Sequence, residues 1–207
     1  VLFIQTFRYA AEPFFFSQEK EKNRKKIYAE VMKYFVIIMA FIFLWVTIFY
    51  DFIKGFLGKE YHDERGFLVV SILLLANLFL GIYYNLSIWY KLTDKTKYGA
   101  YISVFGAIIT LLLNFILIPI IGFLGSAWAT FFCYFSMTLM SYYLGKKYFP
   151  VPYNIKLISL YLFGMLGIYF LICFIEYNMY IKTLFLFLFV IFVFVLEKRN
   201  KTIKFNP

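Results

Sequence analysis

The sequence predicts an all-α polytopic membrane protein, with six full transmembrane helices and the end of a seventh. Three observations carry that prediction. Hydrophobic residues make up 63% of the 207 positions and charged residues only 15%, more apolar surface than a soluble core of this size can hide. The charges cluster, leaving uncharged runs at 34–50, 67–90, 98–145 and 157–175. These runs are continuously apolar rather than alternating, which selects helices over a barrel in a solvent that leaves no backbone group unpaired.

Crossing a hydrocarbon core about 30 Å thick takes roughly 20 apolar residues of helix. Residues 1–17 are expected to be the end of a truncated span, because the chain opens on Val1 with no basic n-region and no small-residue cleavage site. A basic loop follows at 18–33. Full spans are expected at about 34–53, 67–90, 99–119 and 123–144. The run 98–145 is too long for one crossing, and Pro119-Ile120-Ile121-Gly122 supplies the turn that divides it. After a loop at 145–156, two additional helices are expected at about 156–175 and 178–196, then a basic tail at 197–207. The last span is short unless Lys182 reaches back to the interface.

Orientation follows from the basic residues. Lys20, Lys22, Arg24, Lys25, Lys26 and Lys33 fall in one loop; Lys91, Lys95 and Lys97 in another; Lys146, Lys147 and Lys156 in a third; Lys198, Arg199, Lys201 and Lys204 in the tail. These lie on alternate connections and hence on one side, while Lys54, Lys59, Arg65 and Lys182 lie on the other. The positive-inside rule then puts the C-terminus in the cytoplasm. It also accounts for the net charge of +10, so no nucleic-acid partner is expected. The loop at 18–33 has two readings, a topological signal and a seat for anionic lipid headgroups.

Arg8 is the sharpest chemical signal. It stands nine residues before the end of its segment, about 14 Å at helical rise and close to the bilayer midplane. A cation there costs on the order of 3 kcal/mol and needs a cavity or a partner. Gln5, Arg8 and Glu12 share one helix face, and Pro13 frees the carbonyl of Tyr9. Two readings stand: an anion-binding or gating face, and an Arg8–Glu12 pair that only holds helices together. In the second full span Asn77, Gly81, Tyr84, Asn85 and Ile88 fall along one face. Asn77 and Asn85 are candidates either for hydrogen bonds between helices or for a polar cavity wall, and Asn114 has the same two readings.

Gly122, Gly125, Ser126, Ala127 and Ala129 are expected to let helices approach closely. Cys133 and Cys173 are expected to be small packing residues. His62, among Glu60, Asp63 and Glu64, is expected to be solvated. No metal-ligand spacing, cofactor motif, phosphate loop or hydrolase signature occurs, so no catalytic residue, metal or cofactor is assigned and no enzyme is expected.

Three stretches carry a resemblance. They are Gln5-Thr6-Phe7-Arg8-Tyr9-Ala10-Ala11-Glu12-Pro13; Asn77 to Ser87 with Tyr90-Lys91-Leu92-Thr93-Asp94-Lys95-Thr96; and Asn114 to Pro119 followed by Gly122 and Gly125-Ser126-Ala127-Trp128-Ala129-Thr130. Together they resemble polysaccharide-biosynthesis flippases, the O-antigen (Wzx-type) lipid-linked oligosaccharide translocases of the multidrug/oligosaccharidyl-lipid/polysaccharide exporter superfamily. The resemblance implies the C-terminal lobe and two extra helices of a two-lobe transporter in a bacterial inner membrane. Its substrate would be a polyprenyl-pyrophosphate-linked oligosaccharide, flipped outward by alternating access. Arg8, with Gln5, Glu12, Asn77 and Asn85, would line the cavity. Implied partners are the missing N-terminal lobe, membrane lipids, and a polysaccharide polymerase or glycosyltransferases. The alternatives are a multidrug or metabolite exporter of the same superfamily, a glycan polymerase or ligase, and a scaffold without transport.

Overall fold

A computed structural model describes residues 2–55, 64–174 and 179–205. His62 and its acidic neighbours Glu60 and Asp63 lie outside them, as does the side chain of Glu64. Nine helices and no strand occur among the described residues: α1 (Leu2–Ser17), α2 (Arg24–Ile48), α3 (Tyr50–Lys54), α4 (Glu64–Leu86), α5 (Ile88–Leu92), α6 (Lys97–Ile121), α7 (Phe123–Tyr148), α8 (Ile155–Phe174) and α9 (Met179–Phe205). Six helical stretches among them are long and apolar enough to cross a bilayer, α4 and α5 counting together over Arg65–Leu92. The protein is an all-α, multi-pass membrane protein.

Several boundaries move from their sequence-based positions, each for a local reason. The α2 helix begins at Arg24, inside the expected basic loop, because Arg24 to Lys33 contains no Gly or Pro and lysine and arginine form helix well. The fourth transmembrane helix runs to Tyr148, and α9 continues through the basic tail to Phe205. Its candidate span is 22 residues, Met179–Asn200, so the last crossing gains length at its far end. The expected break at Pro119-Ile120-Ile121-Gly122 is narrowed to its last residue. Pro119 lies within the last turn of α6, and Gly122 makes the turn with φ 63° and ψ −141°, a conformation essentially confined to glycine.

The chain forms two compact units, residues 1–35 with 63–154, and 36–62 with 155–207. In the first, α7 packs against both α6 and α4, and α1 against α4 and α5. Small residues set the α6–α7 approach. Gly125, Ala127 and Ala129 are buried, while Gly122 and Ser126 are exposed. A Cβ on Gly125 would stand 2.6 Å from the Leu117 carbonyl carbon, so backbone fills the space. Cys133 is buried beside Gly106, its thiol donating to the Gly106 carbonyl at 3.2 Å. Thr138 donates from α7 to the Phe79 carbonyl of α4 at 2.9 Å, and Trp89 Nε1 donates to Ser141 Oγ at 3.2 Å. The outer side of α6 exposes Leu111, Phe115 and Ile120, a face suited to lipid.

In the second unit α8 packs on α9. The Tyr161 hydroxyl donates to Glu197 Oε1 at 2.6 Å, Phe192 lies against Gly164, and Tyr169 stacks edge-on against Phe43 of α2 at 5.4 Å. Cys173 is exposed on α8, which corrects its expected packing role: with Phe170, Leu171 and Phe174 it belongs to an outward apolar face.

The Gly125 contact yields a stability prediction. Gly125→Val pushes side-chain carbons into the Leu117 backbone, which cannot swing aside, and is expected to cost about 1–3 kcal/mol. A thermal melt of the detergent-purified protein reads this as a lowered midpoint, and an unchanged midpoint would contradict the close approach.

Candidate functional site

Arg8 and Glu12 stand one helical turn apart on α1, and the pair is closed: Arg8 Nε donates to Glu12 Oε1 at 2.8 Å. The same oxygen accepts from Lys91 Nζ of α5 at 2.6 Å. Beneath Arg8 lies the ring of Tyr84 on α4, 5.0 Å from the guanidinium carbon, within the range of a cation–π contact. One carboxylate thus serves two cations, and the cluster keeps one net positive charge. All three charged side chains are partly exposed, Arg8 most at 37%.

Depth can be counted along two chains. Arg8 is nine residues from the end of α1, about 14 Å, and Tyr84 is eight residues from the end of α5, about 12 Å. The two counts agree, so Arg8 and Tyr84 stand at one level, while Glu12 is one turn nearer the end of α1, where Lys91 reaches it.

The fold below holds this arrangement in place. Ala11 and Phe15 of α1 are buried together with Tyr28, Tyr83, Ile88, Trp89 and Tyr90. The Tyr28 hydroxyl donates to the Phe15 carbonyl at 2.9 Å. Phe7 meets Phe35 at 4.5 Å between ring centroids. Phe35 in turn fills the space left by Gly81, where a Cβ would stand 2.0 Å from its ring. The second predicted motif thus contributes its glycine and its tyrosine to the α1 face.

The asparagines do something else. Asn77 Nδ2 donates to the Leu73 carbonyl at 2.7 Å and Asn85 Nδ2 to the Gly81 carbonyl at 3.0 Å. Each amide turns back on its own helix, where the expected donor bond to a neighbouring helix would have gone. This leaves the Asn85 Oδ1 buried with no partner among the described residues, as is Asn114 Oδ1. Asn85 is 2% exposed and borders no open surface. Gln5 is half-buried on the Arg8 face, and its side chain makes no hydrogen bond among the described residues.

Of the sequence candidates, the structure therefore brings Arg8 and Glu12 together, and adds Lys91 and Tyr84. Tyr84 and Lys91 are seven residues apart, two helical turns, a spacing that could have marked them as sharing a face. Nothing local marks that this face meets α1. Among the described residues no group of acidic, histidine and cysteine side chains could hold a metal ion.

Compared with protein-family models, with curated proteins and with solved structures, the chain gives no match.

Removing the shared carboxylate separates two contributions. Glu12→Gln leaves Arg8 and Lys91 facing each other without an anion and is expected to cost about 1 kcal/mol, the small value reflecting partial exposure. Arg8→Gln leaves the Lys91 bond intact and is expected to cost less. Thermal melts of the two variants, with the double variant closing the cycle, check the order. A larger loss for Arg8→Gln would show that Lys91 contributes nothing.

Proposed function

We propose that the chain is the second lobe of a flippase that moves a polyprenyl-pyrophosphate-linked oligosaccharide from the cytoplasmic to the outer leaflet of a bacterial inner membrane. The observation that carries the proposal is the net positive Arg8–Glu12–Lys91 cluster, with Arg8 on a segment that the sequence predicts to lie in the membrane. A surplus cation in that setting is stabilised by an anion, and arginine offers further N–H donors beyond the Nε that Glu12 occupies. A pyrophosphate is an anion of fitting charge. The three stretches that resemble the O-antigen-type translocases support the same substrate class.

On this proposal alternating access requires a first lobe, supplied by the rest of a longer chain or by a partner chain. Arg8 attracts the pyrophosphate. Glu12 keeps the cluster from holding it too tightly, because a doubly cationic site would release its anion slowly. The sugar extends into the space between lobes, and glycosyltransferases and a polymerase act before and after translocation. The multidrug-exporter alternative calls for an acidic residue free to bind a coupling cation; Glu12 is engaged by two cations already.

Two experiments test this. In a bacterium whose surface polysaccharide depends on the gene carrying this chain, Arg8→Ala is expected to lower surface polysaccharide at normal protein abundance. Unchanged polysaccharide at unchanged abundance would remove Arg8 from the mechanism. For orientation, cysteines replacing Asp94 and Phe123 in a cysteine-free background are expected to react from opposite sides, Asp94→Cys from the cytoplasm. Labelling of both from one side would refute the arrangement.

A further inference from the structure

The basic connection between α1 and α2 forms one wall of a cleft of about 700 Å³, closed on the other side by the Pro150–Val151–Pro152 segment. Lys20, Lys22, Arg24, Lys25 and Lys26 line it, with Glu21 the one acidic member. Arg24 donates to the Glu19 carbonyl. Lys20, Lys22, Lys25 and Lys26 make no ion pair among the described residues. The charge is also placed against its own helix. Arg24, Lys25 and Lys26 occupy the first turn of α2, which has no acidic residue. The positive end of a helix dipole disfavours cations there. An anion in the cleft would relieve both the crowding of like charges and the conflict with the dipole.

A second cavity, of about 250 Å³, adjoins the same proline segment. Its walls are mostly apolar and aromatic, Leu86, Trp89, Tyr142, Phe149 and Tyr153, with Gly145 and one cation, Lys146. The two spaces share Pro150, Val151 and Pro152 in their walls, and Phe149 of the second lies beside cations of the first. Lys25 Nζ lies 4.7 Å and the Arg24 guanidinium carbon 5.9 Å from the centre of the Phe149 ring. A cationic cleft and an aromatic slot therefore share one partition, at the basic end of the helices. A soluble phosphate would use only the first. A ligand with a phosphate head and an apolar chain would use both.

We infer that this paired cavity is a binding site for a phosphate-bearing anionic lipid of the bilayer leaflet on the basic side, with its headgroup among Lys22, Arg24, Lys25 and Lys26 and its chain along the Trp89–Phe149 slot. The site uses the cations of residues 20–26 rather than Arg8 or Lys91, and the inference stands independently of the translocation proposal. Its consequence is that such a lipid fastens the α1–α2 connection to the segment after α7.

The test is lipid titration of the full purified chain in neutral detergent, read by native mass spectrometry and by thermal melt. The probes are phosphatidylglycerol, phosphatidylcholine, soluble glycerol 1-phosphate and inorganic pyrophosphate. Phosphatidylglycerol is expected to bind and raise the melting midpoint, and phosphatidylcholine to do so far less. Lys25→Ala/Lys26→Ala is expected to weaken phosphatidylglycerol binding roughly tenfold or more, given the contribution of each lysine near an anionic headgroup. Lys95→Ala/Lys97→Ala removes equal charge elsewhere on the same side and is expected to leave binding unchanged. Asn23→Glu, which keeps every lysine and changes an exposed residue of the cleft, is expected to act like the Lys25/Lys26 pair and covers the case in which that pair fails to fold. Equal losses from the cleft and control variants would overturn the inference in favour of diffuse attraction. Displacement of the lipid by glycerol 1-phosphate or pyrophosphate at comparable concentration would overturn it in favour of a free-phosphate site. Loss of lipid binding with Arg8→Ala would instead tie the lipid to the proposed translocation face.

Discussion

Hydrocarbon offers no hydrogen-bond partner, so polar groups in the spans are stabilised by partners within the protein. That constraint organises the molecule at every scale. It fixes the backbone as helix. It turns Thr47, Ser71, Asn77, Asn85, Thr110 and Thr130 back onto carbonyls of their own helices, three or four residues earlier. And it turns Glu12 into a shared acceptor, because neither Arg8 nor Lys91 pairs with another carboxylate among the described residues.

Polar contacts that join separate elements are concentrated at the basic end. Trp89 bonds Ser141 and stacks on Tyr148 at 5.7 Å; the Tyr98 and Tyr148 hydroxyls meet at 2.8 Å; those of Tyr83 and Tyr90 at 3.2 Å. Lys95 lies 3.8 Å from the Tyr148 ring centre. Amphipathic aromatic rings suit this level of the bilayer, with apolar bodies toward the chains and polar edges toward water. The α1 helix, the α4–α5 break at Ser87 and the end of α7 are tied together there. The Arg8 cluster adjoins these contacts through Lys91 and is held at its own level by Phe7 against Phe35.

The spans were legible in the sequence because an unbroken apolar run has one stable form in lipid. Their ends were less so. Positive charge marks a loop for topology but does not stop a helix, and Arg24 to Lys33 and Lys198 to Phe205 both continue helical into the basic region. The Pro119–Gly122 stretch marked the hairpin and Gly122 makes it, since a proline in a last turn removes one bond whereas φ 63° with ψ −141° is a glycine conformation. The Arg8–Glu12 pair was visible as an i, i+4 spacing. Lys91 was not, because its bond to Glu12 spans 79 positions and nothing periodic links them. The asparagines were ambiguous in principle: an amide in a helix can bond across or backward, and only the neighbouring surface decides.

The account's central claim is that one carboxylate between two cations leaves a positive charge that receives a pyrophosphate. The most direct measurement is the affinity of the purified chain for a short-chain prenyl pyrophosphate, comparing the native protein with Glu12→Gln and Arg8→Gln at fixed ionic strength. The two substitutions are predicted to act in opposite directions. Glu12→Gln raises the cluster from one net positive charge to two and tightens binding; Arg8→Gln neutralises it and weakens binding. Weakening by both, or no change in either, would mean that the cluster only joins helices, and the translocation proposal would lose its anion site.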